Sequence, residues 1–173
     1  MIPEFSRPVR IDTLGEGGRA LSIVAEEAER AALAERFALI ALYSLSADAT
    51  LRREGDLVLA EGRVKASVAQ ACVASGAPVP AEIDEAFSLR FVPEGQETAE
   101  EIELDAEDFD TIDYAGGMVD LGEAVAETLA LSLDPFPRAA DADEILKAAG
   151  VLSEDEIVTG PFAALKGLKD KLK

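Results

Sequence analysis

The stretch from Leu57 to Ala69 constrains this chain most. Val58, Ala60, Gly62, Val64, Ala66 and Val68 fall on one face, and Glu61, Arg63, Lys65 and Ser67 fall on the other. Period-2 alternation of this kind describes a strand of an antiparallel sheet with one face on a core and one in water. Gly62 in its middle predicts a bulge or a close neighbour. The flanking sequence supplies partners for this strand. Tyr43 to Arg53 places Leu45, Ala47, Ala49 and Leu51 on one face and ends at a Gly55-Asp56 turn. Phe87, Leu89 and Phe91 alternate with Ser88 and Arg90 up to Pro93, after a loop from Ser75 to Pro80. Phe5 to Leu14 alternates around Val9 and Ile11 and closes at Gly15-Glu16-Gly17-Gly18. That glycine run reads as a turn, since it lacks the Lys-Ser/Thr of a phosphate loop and has no dinucleotide spacing.

Two helices accompany these strands. Leu33, Phe37 and Ile40 recur at helical spacing within Ala25 to Leu42, with Glu26 and Arg30 placed for an i,i+4 pair. Further on, Asp120 is a good N-cap with Glu123 at N3, an Asp version of the capping box. Leu121, Val125 and Leu129 then mark a core-facing stripe, and Pro135 and Pro137 forbid continuation. A short helix is expected around Ile145 and Leu146. Pro161 can open a last one, with Phe162, Leu165, Leu168 and Leu172 as its apolar stripe. The reading is an α+β fold: an antiparallel sheet packed by two main helices, with a short C-terminal helix. Residues 1–173 read as one domain, with an acidic mobile segment at 94–117 and a loosely attached tail at 139–173.

Composition narrows the chemistry. There is no histidine, which removes imidazole-based triads and the usual imidazole zinc ligands. The single cysteine, Cys72, has neither a CxxC neighbour nor an obvious base and reads as a small buried residue near a strand end. Aromatic residues are 5% of the chain, so the core should be shallow with few bulky anchors. Asp and Glu number 35 against 16 Lys and Arg. The imbalance is uneven: residues 1–93 carry net −4 and residues 94–173 net −15. The second half suits a basic protein surface, and the field as a whole opposes phosphate backbones. Met1 to Phe5 has neither the basic region nor the apolar run of a signal peptide, and no apolar stretch is long enough to span a bilayer. The reading is a cytoplasmic protein without a cofactor.

Three kinds of site are open on the residues alone. Arg7, Arg10, Arg52, Arg53, Arg63, Lys65 and Arg90 form one positive patch if their strands are neighbours, and otherwise serve solubility. Asp105, Asp108, Asp110 and Asp113 lie in an acidic run but lack EF-hand spacing and its glycine, so a solvated charge run competes with a metal site. The segment from Asp120 to Arg138 offers a surface. Within it Arg138 follows two prolines and serves no cap, with Asp134 as a candidate ion-pair partner.

Five stretches taken together resemble the YceD family of large ribosomal RNA subunit accumulation proteins, in its alphaproteobacterial style. They are Glu29 to Phe37, Gln70-Ala71-Cys72-Val73, Gly116 to Glu123, Leu131-Ser132-Leu133-Asp134-Pro135-Phe136-Pro137-Arg138, and Pro161 to Leu165. They occur in the expected order and cover nearly the whole chain. The resemblance implies a factor needed for accumulation of 23S ribosomal RNA and production of the large subunit, with no established catalytic activity. Some family members carry further cysteines toward the C-terminus. Here Ala139-Ala140-Asp141 follows Arg138, so no zinc site is carried over.

The first reading is therefore a non-catalytic factor that binds a basic partner, either a large-subunit ribosomal protein or an rRNA-processing factor. The second is a direct rRNA binder using strand arginines. A metal-dependent hydrolase built on Asp108 and Asp110 comes third. The residues singled out for partner or RNA binding are Arg63, Lys65, Arg90, Asp134, Arg138 and Phe162.

Overall fold

The computed structural model describes residues 3–95 and 109–151. Phe162 and the rest of the expected C-terminal helix, Asp105, Asp108 and the acidic stretch around Ile102 and Leu104 lie outside the described residues. The chain runs β1 (Pro8–Arg10), a 3-10 turn (Ile11–Thr13), β2 (Arg19–Val24), α1 (Glu27–Arg36), β3 (Ala41–Glu54), β4 (Leu57–Ala71) and β5 (Pro78–Pro93). β6 (Asp110–Tyr114), β7 (Met118–Asp120), α2 (Leu121–Ser132) and α3 (Ala142–Ala148) follow. This is an α+β fold with a five-stranded sheet in the order β2-β3-β4-β5-β6 and a two-stranded sheet of β1 and β7.

β4 is the central strand that its alternation predicts. Val58, Ala60, Val64, Ala66 and Val68 are buried, whereas Glu61, Arg63 and Lys65 are exposed. Leu45, Ala47, Ala49 and Leu51 of β3 are buried on the same side. Gly62 has the close neighbours expected of it. A Cβ there would lie 2.3 Å from the Asp48 carbonyl oxygen and 2.9 Å from the Ala49 Cα, with the Phe87 ring at 2.7 Å. Phe87 is the cross-strand partner of Gly62, so its ring fills the space the glycine leaves.

The sheet departs from the expectation in three ways. First, β2 is an additional edge strand in a segment whose composition gave no alternation strong enough to mark it. Second, β5 begins at Pro78, inside the expected loop. Both prolines fit a strand because Cys72 N donates to Ala77 O, which turns positions 78 and 80 away from β4. β6 pairs only from Leu89 onward, so their missing N–H groups face an open edge. Third, β5 and β6 are parallel, so the sheet is mixed and not purely antiparallel. A parallel pair needs a connection of roughly a dozen residues or more, and residues 94–109 provide it.

Helix α1 also differs, ending at Arg36 and not at Leu42. Ala38 takes φ +52°, Leu39 N donates to Ala34 O, and Ala38 N donates to Glu35 O. That is a Schellman stop with alanine where glycine is usual, so the sequence gives no warning of it. Ile40 is consequently 48% exposed and Phe37 only partly buried. The expected Glu26–Arg30 pair is replaced as well: the Arg30 guanidinium donates to Ala25 O, and Glu29 Oε2 accepts from the N-cap amide of Glu26 at 2.7 Å.

Helix α2 forms as expected, with Leu121, Val125 and Leu129 fully buried. It lies against β4, β5 and β1, while α1 lies against β3. Among the largest fully buried side chains only Phe5 and Phe91 are aromatic, in keeping with an alanine- and valine-rich core. α3 covers Ile145 and Leu146, as the sequence suggests, and buries only Ala142.

Candidate functional site: the buttressed proline loop

The two ends of α2 do different work. At its N-terminus the Asp120 carboxylate accepts from the amides of Gly122 and Glu123, from Arg7 N at 2.7 Å and from Ser6 Oγ at 2.5 Å. The cap therefore also clamps the N-terminal segment. Gly122 sits directly against that segment, since a Cβ there would stand 2.2 Å from Phe5 O. Glu123 does not close a capping box. Its carboxylate takes a bidentate pair from Arg36 of α1 at 2.7 and 3.0 Å, and Arg36 also reaches Glu4 at 2.9 Å. The Glu123 carboxylate foremost raises the Arg36 pKa, so this guanidinium stays charged. Asp120, Gly122 and Glu123 are thus occupied in holding the fold.

At the other end, α2 leads into the loop of Asp134 to Ala139, and β4 holds that loop from below. Gln70 Nε2 donates to Asp134 O at 2.8 Å, Val73 N donates to Pro137 O at 2.9 Å, and Ala139 N donates to Cys72 Sγ at 3.3 Å. Asp134 Oδ1 accepts from Phe136 N at 2.9 Å, closing an Asx turn. Two prolines and three hydrogen bonds to the end of β4 and the two residues after it, two donated to the loop and one accepted from it, fix this backbone. The fixed loop displays Phe136 to solvent at 73% exposure, and Leu131 in the last turn of α2 and Val73 just past β4 are 82% and 58% exposed. Asp141, Asp143 and Glu144 follow in α3 and its cap, giving the loop an acidic flank.

Cys72 is buried at 3% exposure, as its sequence setting suggests. The Ala139 amide foremost, then the Ser75 side chain, lowers its thiol from the ordinary range to about 7, against the opposing effect of burial. A lowered acid pKa in the folded state stabilises the fold fully above the unfolded pKa, and this contribution is lost as pH falls through the folded value. The urea midpoint of the native chain, relative to Cys72→Ala, should therefore rise from pH 7 to pH 9. A difference that stays flat over that window would contradict the lowered thiol.

The singled-out residues are not gathered into one place. Arg63 pairs with Asp84 at 2.6 Å on the outer face of β4. Lys65 stands opposite Asp84 in the register. Arg90 lies over the Phe109 ring. Arg90 is four positions along β5 from Ala86, the partner of Arg63, or about 13 Å at the usual strand rise. Arg138 pairs with Asp143 at 2.7 Å and not with Asp134. The single positive patch does not form, because Arg7, Arg10, Arg52, Arg53 and Arg63 each have a carboxylate partner. Leu131 and Phe136 lie within the segment expected to offer a surface but were not singled out in it, and Val73 was not singled out for binding. The spacing of Gln70 and Asp134 in the chain hides that they meet.

Among the described residues there is no group of three or more Cys, Asp or Glu placed to hold a metal ion. No described helix is long and apolar enough to cross a membrane. No curated protein and no solved structure gives a significant match. The family model described as large ribosomal RNA subunit accumulation protein YceD matches residues 60–169. That span holds most of β4 and every described element after it, including both halves of the buttressed loop, Gln70 to Val73 and Asp134 to Ala139. On a match over more than half its length, the chain belongs to the YceD family of large ribosomal RNA subunit accumulation proteins.

Proposed function

We propose that this chain is a non-catalytic cytoplasmic factor that supports accumulation of 23S ribosomal RNA and production of the large subunit by binding a basic protein. The family membership supports the ribosomal role. The observation that carries the binding reading is the rigid loop with Phe136 exposed, preceded by exposed Leu131 and followed by acidic α3, in a half of the chain with net charge −15. An apolar anchor with a charged rim is the usual anatomy of a specific protein interface. The partner would be a large-subunit ribosomal protein or an rRNA-processing factor, drawn in by charge and held by the anchor. A direct grip on 23S RNA has less support, because most strand arginines already spend their charge on neighbouring carboxylates.

Complementation tests this reading. In a strain lacking the gene, the native chain should restore the ratio of 23S to 16S RNA. Phe136→Asp should fail to do so while being produced at normal level with native circular dichroism. The side chain is 73% exposed, so its replacement should leave the fold intact. Full restoration by Phe136→Asp would remove the loop from the mechanism.

A further inference from the structure

A second surface lies at β1 and β2, outside the family match and away from the residues of the loop. Among the described residues β2 is an edge strand, paired only with β3. Ala25 N donates to Leu45 O in the same register that pairs Arg19 with Leu51. The alternation of an antiparallel ladder then turns the backbone of Arg19, Leu21 and Ile23 toward β3 and that of Ala20, Ser22 and Val24 away from it. Among the described residues β1 pairs only with β7, and Ile11 N donates to Gly117 O, so the backbone of Pro8 and Arg10 is likewise turned away, with Arg10 O accepting from Thr13 Oγ1 at 2.7 Å. The outer edge of β2 is thus the open one, beside a groove of about 430 Å³ that β1 closes on the other side.

The lining of this groove is unusual for so acidic a chain. Val9, Leu21, Ile23 and Leu121 give it an apolar floor, and Arg7, Arg10 and Arg19 stand around it without one acidic side chain in the lining. Arg7 spans one end, donating to Val24 O at 3.0 Å while its guanidinium holds Glu29. Arg10 is paired with Asp12 in solvent. Among the described residues Arg19 pairs with no carboxylate, and its one hydrogen bond is a long contact to Thr13 Oγ1 at 3.4 Å. An open edge supplies main-chain affinity for an extended segment, and neighbouring side-chain pockets supply its selectivity.

We propose that this groove binds an extended acidic segment of a partner protein by strand addition to β2. The segment's main chain pairs with Ala20 and Ser22, its apolar side chains rest on Leu21 and Ile23, and its carboxylates meet Arg19 and Arg10. Single-stranded RNA is the weaker occupant: no aromatic side chain lines the groove to stack a base, and the open edge of β2 offers main-chain pairing that only an extended polypeptide can use.

The test uses the full chain and a labelled ten-residue peptide of alternating glutamate and valine, with a lysine–valine peptide and an oligouridylate RNA as comparators, read by fluorescence anisotropy. The glutamate peptide should bind and the other two should not. Arg19→Glu should weaken it at least tenfold. Ser22→Pro removes an N–H that points away from β3, so it should abolish binding while sparing the backbone bonds of the β2–β3 ladder; Ser22→Ala, which loses only the side-chain bond to Asp48, should bind as the native chain does. Amide exchange of the native chain provides a readout that needs no variant: exchange at Ala20 and Ser22 should slow on adding the glutamate peptide. Equal binding of both peptides, preference for the RNA, full affinity in Ser22→Pro, or unchanged exchange at both amides would each overturn the proposal.

Discussion

Gly122→Ala is expected to lower the stability of this protein by about 3 kcal/mol, the upper end of what overpacking costs. The added methyl would stand 2.2 Å from Phe5 O and 2.9 Å from Arg7 N, both backbone atoms. That backbone has no freedom to retreat. Phe5 is fully buried, Arg7 N and Ser6 Oγ are held by Asp120, and the Arg7 guanidinium is held by Glu29. Relief would require moving the start of α2, which breaks the cap and the Arg36–Glu123 pair together. Urea unfolding should show a lower midpoint with an unchanged slope. Gly15→Ala is the control: nothing lies within 4 Å of the new methyl, so its midpoint should stay near that of the native chain. Equal stability of Gly122→Ala and the native chain would mean that the N-terminal segment is not clamped as described.

Phe5→Ala should cost about 3–5 kcal/mol, the range for emptying a buried aromatic site. Phe5 has no exposed surface and joins the core cluster that includes Leu121 and Val125. The Arg7 guanidinium also lies 4.5 Å from its ring centroid, an attraction lost with the ring. Phe5 precedes the family match, so this loss would show that the segment before residue 60 is integral to the same core. Thermal and urea unfolding should agree on the magnitude, and a loss under 1 kcal/mol would contradict the placement.

These two residues show what the sequence could and could not convey. Strong alternation in β4 and the Asp120 cap were readable because each is a local pattern with one cause: burial of one face, or satisfaction of free amides. The stop of α1 was not readable, because alanine at Ala38 occupies a position where glycine would have announced the turn. β6 escaped because its register is set by a parallel neighbour, a long-range pairing that an acidic local sequence does not advertise. The loop was half readable. Pro135 and Pro137 announced a stiff exit from α2, but only folding brings Gln70, Cys72 and Val73 beneath it. Glu123 was misassigned for the same reason. Its spacing fits a capping box, and the decision lies with Arg36, which arrives from another helix.

The family stretches divide along the same line. Gly116 to Glu123 builds the junction among α2, α1 and the N-terminal segment, so its residues answer to stability. Leu131 to Arg138 and Gln70 to Val73 are joined by hydrogen bonds into one platform on which Leu131, Phe136 and Val73 face solvent, and under the proposed function these exposed members answer to binding. Stability variants at the first and interface variants at the second should therefore separate cleanly.

The central claim is that this protein acts by holding a basic protein. It is tested most directly by affinity capture of the tagged chain from native lysate, with and without nuclease, read by mass spectrometry and RNA sequencing. Large-subunit proteins or rRNA-processing factors that remain after nuclease, are lost at high salt and are absent from the Phe136→Asp capture are the predicted result. Loss of those partners on nuclease treatment, with 23S RNA enriched beforehand, would contradict it and assign the role to direct RNA binding.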